Sequence, residues 1–202
     1  MVFFNRRRGN SSRPTGSFRY PSDNHASLGS ASKKERQMVL TTQSTLYMLN
    51  KYQWDKLNNQ QTGSYAEYFV KMEFTMFGFQ VYTTEVDDRG IDFVCKYEKG
   101  SYIEVQVKSI RDFNYVFMRK DHFQPHEYLY LALVILLQDK EPELYLIPSK
   151  SWLNPNTLFV SRDYINKKSK PEWGLNISRK NMPVLENFIF NITVQKLINK
   201  NI

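Results

Sequence analysis

The segment from Tyr102 to Lys108 alternates strictly between polar and β-branched residues. The side chains of a β-strand point to opposite faces in turn, so one set can enter a core while the other set lines the opposite face. The apolar set is Ile103, Val105 and Val107, and the polar set is Glu104, Gln106 and Lys108. The pattern predicts a strand with one packed face and one face that carries an acid, an amide and an ammonium group.

Length and composition indicate one folded domain with a tail. The chain has 202 residues, of which 41% are hydrophobic and 15% aromatic, and this is enough for one substantial core. We predict a basic, disordered tail over residues 1–37 and a folded domain over residues 38–202.

No membrane segment is expected. The longest apolar run, Tyr128–Leu137, is about half the roughly 20 residues that a membrane helix needs, and its composition favours a central strand. Three arginines, Arg6–Arg8, come soon after Phe4, where a signal peptide would continue with apolar residues. The single cysteine, Cys95, excludes an internal disulfide and is typical of a reducing compartment. We therefore predict a cytoplasmic protein without a membrane partner.

The net charge of +8 indicates an acidic partner, but most of it lies near the N-terminus. Residues 1–36 contain eight basic and two acidic side chains, which account for six of the eight net charges. This leader is rich in Ser, Gly, Asn and Arg, so burial cannot offset its ordering entropy. Three interpretations stay open: a nonspecific phosphate-binding arm, a solvated tail, or an upstream extension of a chain that begins at Met38.

Two helices are predicted before the first strand. The first covers Leu46–Asn58, and the segment Gln60–Gly63 interrupts it. Residues Ser64–Glu67 match a capping box, which predicts a second helix that runs to about Phe77 and ends at Gly78. One face of this helix is apolar: Ala66, Val70, Phe74 and Phe77.

The following residues predict a three-stranded meander and then further strands. The meander consists of Phe79–Thr84, Ile91–Tyr97 and Ser101–Ser109, with turns at Asp87–Gly90 and Glu98–Gly100. Later segments are predicted as strands Tyr115–Arg119, Tyr128–Leu137 and Glu143–Ile147, a short helix Pro148–Leu153, edge strands Thr157–Val160 and Trp173–Ile177, and a closing helix Pro183–Ile198. Apolar strands on both faces are typical of a layered α/β domain.

The length of the second turn decides which residues of the meander share a face. If Glu98–Gly100 is a three-residue loop with Gly100 in the left-handed conformation, Asp92 lies opposite Gln106. Their Cβ atoms are then about 5 Å apart, with Lys108 as a diagonal neighbour. A four-residue loop would instead turn Asp92 to the opposite face.

Such a cluster suits metal-assisted hydrolysis of phosphodiesters. Asp92, the side-chain oxygen of Gln106 and the carbonyl of Val107 are oxygen ligands of the kind that Mg²⁺ prefers. The metal neutralises charge on the phosphate and activates a water molecule. Lys108 can orient or deprotonate that water, or stabilise the transition state.

These residues resemble the motifs of the PD-(D/E)XK nuclease superfamily, which has the restriction-endonuclease-like fold. The resemblance is carried by Glu67 on an early helix, by Gly90–Asp92 and by Gln106–Lys108, and it covers about Gly63 to Ile147. It is closest to Mrr-type restriction enzymes and related bacterial domains, in which Gln replaces an acid. The resemblance implies an α/β fold with a mixed central sheet flanked by helices, and a nuclease that uses Mg²⁺ or Mn²⁺.

By position, the resemblance implies a role for each motif residue. Asp92 and Gln106 would be metal ligands, Lys108 the catalytic lysine, and Glu67 a helix carboxylate that holds a metal-bound water. Because Gln106 is neutral, Glu104 or Glu67 could supply missing charge. Three plainer interpretations remain: Glu67 completes the capping box, Asp92 flanks a turn, and the polar residues of the strand are its solvated face.

The remaining candidates are weaker. His122 and His126 are interpreted as loop residues, because Pro125 intervenes and a third metal ligand is missing. Cys95 is predicted on the core face. The side chains predicted to contact nucleic acid are Arg119, Lys120, Lys167 and Lys168.

The sequence therefore predicts a metal-dependent nuclease with nucleic acid as its partner. DNA is favoured over RNA through the resemblance alone, and a homodimer is a further expectation. The alternatives are a catalytically inactive relative that binds nucleic acid or a protein, and a purely structural module.

Overall fold

A computed structural model describes residues 32–83 and 90–200 of the chain. The chain divides into two units between Thr41 and Thr42, and the fold described below belongs to the second. The helices are α1 (Lys33–Lys51), α2 (Asn59–Met76), α3 (Met182–Leu185) and α4 (Phe190–Asn199). The strands are β1 (Phe79–Thr83), β2 (Phe93–Tyr97), β3 (Ile103–Arg111), β4 (Tyr115–Arg119), β5 (Leu129–Leu136), β6 (Glu143–Pro148), β7 (Phe159–Arg162) and β8 (Glu172–Asn176).

The strands form two sheets. The larger sheet has the order β1-β2-β3-β5-β6, and the smaller has the order β4-β8-β7. Strands β3 and β5 are parallel, whereas the other neighbours are antiparallel. The prediction of an α/β fold with a mixed central sheet flanked by helices is confirmed. The predicted edge position of Trp173–Ile177 is wrong, because β8 lies between β4 and β7.

Each face of the larger sheet is covered by a different layer. On one face, apolar residues of β1, β2, β3 and β5 pack with α2 and α4 around Phe74, which is fully buried. On the other face, residues of β5 and β6 pack against the smaller sheet around Trp152. Among the strands of the larger sheet, β5 and β6 contribute buried residues to this second core, whereas β1, β2 and β3 contribute none of its buried members. The layer that the smaller sheet forms on this face therefore ends along β3.

Helix α2 begins earlier than the sequence predicts. Its N-cap is Asn58, which accepts from Gln61 N while the Gln61 side chain accepts from Asn58 N. This reciprocal pair is the capping box, so the predicted box at Ser64–Glu67 is wrong and Gly63 lies inside the helix. The apolar face is confirmed, since Ala66, Val70 and Phe74 are buried. Gly78, at φ +86°, ends the helix as expected.

The first predicted helix, Leu46–Asn58, is wrong in both bounds. Helix α1 ends at Lys51, and only a single 3-10 turn, Trp54–Lys56, follows. Long-range contacts favour this break: Trp54 Nε1 donates to the carbonyl of Lys140, and Asp139 N donates to the carbonyl of Tyr52. Residues 33–37, predicted in the tail, lie in α1, while residues 1–31 lie outside the described residues.

The C-terminal segment is divided, not one helix from Pro183 to Ile198. A 3-10 turn, Glu186–Phe188, separates α3 from α4. Ile189 then leaves the helical conformation, with φ −48° and ψ 133°, and forms a bridge with Tyr145 of β6. This bridge breaks the helix and sets the start of α4, whose Phe190 packs against Phe74 at a centroid distance of 5.0 Å.

Across residues 32–83 and 90–200, none of the helices combines the length and apolar character needed to cross a bilayer.

Replacing Gly63 with Ala should stabilise the protein by about 0.5–1 kcal/mol, because Gly is a poor residue for a helix interior. A Cβ at this position would meet no atom within 4 Å. Gly78→Ala is the matched control and should destabilise, because Gly78 has a positive φ. Urea unfolding of the two variants measures both effects. Destabilisation by Gly63→Ala would show that Gly63 interrupts the helix after all.

Candidate active site

The pairing of β2 with β3 agrees with the predicted register. Phe93 lies opposite Val105, and Cys95 lies opposite Ile103. The paired residues end at Phe93, so the predicted placement of Asp92 opposite Gln106 lies just beyond the paired segment and stays a prediction. The left-handed residue of the turn is Glu98, at φ 47°, so its assignment to Gly100 is wrong. Gly100 N donates to the carbonyl of Tyr97 at 2.9 Å, which closes a tight turn whose second residue takes the positive φ.

Asp92 precedes β2 and fixes the point at which β2 and β3 separate. Its N–H donates to the carbonyl of Val105 at 3.0 Å. Its Oδ2 accepts from the N–H of Val107 at 2.5 Å. The Asp92 carboxylate therefore takes the place of the backbone carbonyl that a longer β2 would have offered to Val107 N–H. This bond holds the Asp92 carboxylate against β3.

The carbonyl of Val107 points into the same space as its N–H. In an extended strand, the N–H and C=O of one residue lie on the same side. The alternation along β3 agrees, because Val105 bonds toward Asp92 while Glu104 N donates to Tyr128 beside β5. The Val107 carbonyl thus faces the gap where β2 has ended, next to the Asp92 carboxylate.

Gln106 supplies an unusual oxygen to the site. The residue is only 6% exposed, and its Oε1 is buried without a hydrogen-bond partner among the described residues. A buried polar atom of this kind costs about 1–3 kcal/mol unless something binds it. The amide packs against Gly90, where an added Cβ would lie 2.7 Å from Gln106 Nε2. Gly90 has φ +74°, so only glycine fits this position without strain.

Lys108 lies at the same border of the sheet and faces a cleft of about 510 Å³ between β3 and β4. It is half-buried. In the part of the chain that the structure describes, Lys108 forms no ion pair. The cleft is lined by Gly90, Gln106, Lys108, Ser109, Ile110, Val116, Phe117, Arg119 and His122. The ammonium group is therefore available to an anion that enters the cleft.

Glu67 and Glu104 do not join this group. Glu67 is 42% exposed, lies 3.8 Å from Lys71 Nζ, and lines neither this cleft nor its neighbour. It takes no part in the helix cap, so the capping interpretation of Glu67 is wrong. Glu104 Oε2 lies 3.1 Å from His126 Nε2 and faces a second cleft of about 460 Å³. Their roles at a metal stay predictions.

The donor atoms at this border of the sheet suit a hard cation that keeps part of its water shell. No three His, Cys, Asp or Glu side chains within residues 32–83 and 90–200 are grouped to hold a metal. Mg²⁺, however, keeps several waters and is commonly held by one or two carboxylates. Asp92, the buried side-chain oxygen of Gln106 and the Val107 carbonyl fit that requirement. A single carboxylate predicts weak affinity.

The predicted phosphate contacts differ in their surroundings. Arg119 lines the cleft and forms a two-bond pair with Asp121, whose pKa it holds below the ordinary value. Lys120 is engaged elsewhere, 2.6 Å from Asp163 and 4.1 Å from the ring centroid of Trp173. Lys167 and Lys168 are exposed in the loop between β7 and β8. Of the four, Arg119 alone is placed at the cleft.

His122 lies at the site, whereas Cys95 lies in the core. His122, interpreted from sequence as a loop residue, lines both clefts and lies beside Gly90. Only the tertiary approach of this loop to Gly90 reveals it, and no local pattern does. Cys95 is buried on the core face as predicted, and burial raises the pKa of its thiol, so it is no nucleophile.

Comparison with known proteins gives structural likeness only. No family model matches the sequence, and no curated protein is significantly similar to it. A bacterial homing endonuclease, I-Ssp6803I, is similar over 71% of this chain and 96% of its own, at 15% identity and a TM-score of 0.44. A Holliday junction resolvase, Hjc of Archaeoglobus fulgidus, is similar over 60% of this chain and 88% of its own, at 11% identity and a TM-score of 0.39. Because these values are low, neither likeness establishes a family or an activity.

Gly90→Ala should destabilise the protein by about 1–3 kcal/mol, through the positive φ and the contact with Gln106. In a Gln106→Ala background the contact is gone and only the backbone strain remains, so the same change should cost less. Urea unfolding of the two single variants and the double variant measures this coupling. Equal costs in both backgrounds would contradict the packing of the amide against Gly90.

Proposed function

We propose that this protein is a metal-dependent nuclease that hydrolyses phosphodiester bonds, with DNA preferred over RNA. The observation that carries the proposal is the Oε1 of Gln106, which is buried without a hydrogen-bond partner in the part of the chain that the structure describes. The next residue, Val107, anchors the carboxylate of Asp92 through its N–H. We infer that the side-chain oxygens of Asp92 and Gln106, together with the Val107 carbonyl, bind a cation. The Lys108 ammonium next to them is a binding site for an anion.

Asp92, Gln106 and Val107 would hold the metal, with Mg²⁺ as the expected ion and Mn²⁺ as a substitute. When bound, the ion would supply Lewis-acid chemistry and neutralise negative charge on the phosphate. The bond from Val107 N–H keeps the Asp92 carboxylate in place before the ion arrives. Such preorganisation reduces the rearrangement that binding requires. Glu67 and Glu104 are proposed as outer groups that act through water.

Lys108 is the proposed catalytic residue. It lies on the same face of β3 as Gln106, two residues along, so the two side chains are about 7 Å apart at their base. From that position its ammonium group can hold the scissile phosphate, orient the attacking water or stabilise the additional negative charge of the transition state. The lack of an ion pair within the described part of the chain leaves its charge for the substrate.

The cleft offers a path for the nucleic-acid strand. Arg119 on β4 faces Lys108 on β3 across it, so cations occupy both walls. The pair with Asp121 holds the Arg119 guanidinium in position. Lys120, Lys167 and Lys168 are proposed as more distant phosphate contacts, and the basic tail over residues 1–37 as a nonspecific one. The preference for DNA is taken from the resemblance to PD-(D/E)XK nucleases.

A second function is favoured by one specific observation. The described residues contain no group of three acidic or metal-binding side chains, and Gln106 is neutral. A nuclease scaffold with too little charge to retain a metal would bind nucleic acid without cutting it. The two functions differ in whether purified protein cleaves DNA at all.

Lys108→Ala should lower the rate of Mg²⁺-dependent plasmid nicking by at least about 100-fold, because it removes the cation that shares a face of β3 with Gln106. Lys99→Ala, in the exposed turn between β2 and β3, is the matched control and should cut like wild type. Agarose-gel nicking assays with and without EDTA measure the rates, and circular dichroism checks the fold. Nicking by Lys108→Ala at the wild-type rate would contradict the proposal. Salt-sensitive DNA binding by a wild-type protein that never cuts would favour the second function.

A further inference from the structure

An exposed aromatic pair lies on the same sheet face as the candidate active site. Tyr82 on β1 and Tyr102 just before β3 are 41% and 52% exposed. Their ring centroids are 5.6 Å apart, with an interplanar angle of 62°. Lys96 of β2 places its Nζ 5.0 Å from the ring centroid of Tyr102. We call these three residues the tyrosine platform.

The register shows that the platform and the candidate active site share one face. Tyr82 lies opposite Val94, and Val94 lies opposite Glu104. Directly opposed residues share a face, and residues two apart on one strand share it too. Gln106 and Lys108 therefore follow Glu104 on the face that carries Tyr82.

Neither core covers this face at the platform, as far as residues 32–83 and 90–200 are concerned. The smaller sheet covers β5 and β6, while the opposite face of β1, β2 and β3 is covered by α2 and α4. Tyr102 is four residues from Gln106, which is about 13 Å along an extended strand. That distance corresponds to about four stacked nucleotides at 3.4 Å each. A strand bound in the cleft can therefore reach the platform without a break.

We propose that the tyrosine platform binds unpaired bases of a nucleic-acid strand whose backbone continues into the cleft. This inference rests on the proposed function and narrows its substrate to nucleic acid with a single-stranded segment beside the cut. Tyrosine rings stack on the faces of bases that are not already covered in a duplex. Lys96 adds a cation for the phosphate that follows, and Lys108 and Arg119 continue the basic path.

The plainer role of the pair is to join β1 to the sheet by cross-strand packing. Substitution by Phe keeps both the ring and the packing. Substitution by Leu keeps much of the apolar packing but removes the flat aromatic face. A packing role therefore tolerates either change, whereas base stacking tolerates only Phe.

The chain offers a matched control on the opposite layer. Tyr68 of α2 is 68% exposed, and Lys71 Nζ lies 5.9 Å from its ring centroid. This second lysine–tyrosine pair lies on the helix that covers the other face of the sheet. It has the same chemistry as the platform but no path to the cleft.

The test is fluorescence anisotropy with the full chain and labelled oligothymidylate of about 20 nucleotides, which exceeds typical single-strand site sizes. EDTA is present, so that no cutting occurs. Tyr102→Leu and Tyr82→Leu should each weaken single-strand binding by about ten-fold, with duplex binding nearly unchanged. Tyr102→Phe and Tyr68→Leu should bind like wild type. Oligouridylate in the same assay distinguishes RNA from DNA as the source of the strand.

Equal binding by the Leu variants and wild type, or equal loss for single strand and duplex, would overturn the inference. So would a wild-type protein that binds no single strand. Metal-dependent cutting that needs Lys108 but not the tyrosines would overturn the platform and leave the nuclease intact. Tyrosine-dependent binding by a protein that never cuts would support the platform and remove the nuclease activity.

Discussion

The two faces of β3 determine how the rest of the molecule is arranged. Ile103, Val105 and Val107 are buried under α2, so this set cannot leave the core without a large loss of apolar burial. A slip of one residue in the pairing would exchange the two faces. Burial of the apolar set therefore fixes the position of Gln106 and Lys108 as firmly as it fixes the core. The candidate active site takes its geometry from the same interaction that stabilises the sheet.

The position of the site follows from where a layer ends. The smaller sheet packs on β5 and β6 and leaves β3 at its margin, so a cleft forms between β3 and β4. At that margin the protein keeps features that lower its stability: a glycine with positive φ, and a buried amide oxygen that has no partner among the described residues. Such features commonly persist where they serve binding or catalysis. Their coincidence beside Asp92 is what distinguishes this margin from an ordinary solvated strand.

Part of this arrangement could be predicted from sequence, because it depends on the two-residue period of a strand and on the number of residues between strands. The alternation from Ile103 to Lys108 fixes both faces of β3, and the register predicted for β2 and β3 agrees with the observed pairing of Phe93 with Val105. The start of α2 could not be predicted in the same way, because Asn58–Gln61 and Ser64–Glu67 both match a capping box. Gln61 completes the first box in the structure, and local sequence cannot rank the two.

Other features depend on partners that are distant in sequence. The helix break at Ile189 follows from its bridge with Tyr145, and the end of α1 from contacts of Tyr52 and Trp54 with residues 139–141. The approach of His122 to Gly90 is likewise tertiary. Such a contact also separates the polar residues of β3. Glu104 pairs with His126 and faces the second cleft, whereas Gln106 and Lys108 line the first.

The central claim is that Asp92, Gln106 and the Val107 carbonyl form one cation site. The most direct measurement is an anomalous difference map from crystals of the wild-type protein soaked in Mn²⁺. The account predicts a single strong peak within coordination distance, about 2.0–2.3 Å, of Asp92 and of Gln106 Oε1. A well-diffracting crystal with no peak at these oxygens, or with Mn²⁺ bound at Glu104 and His126 instead, would contradict it.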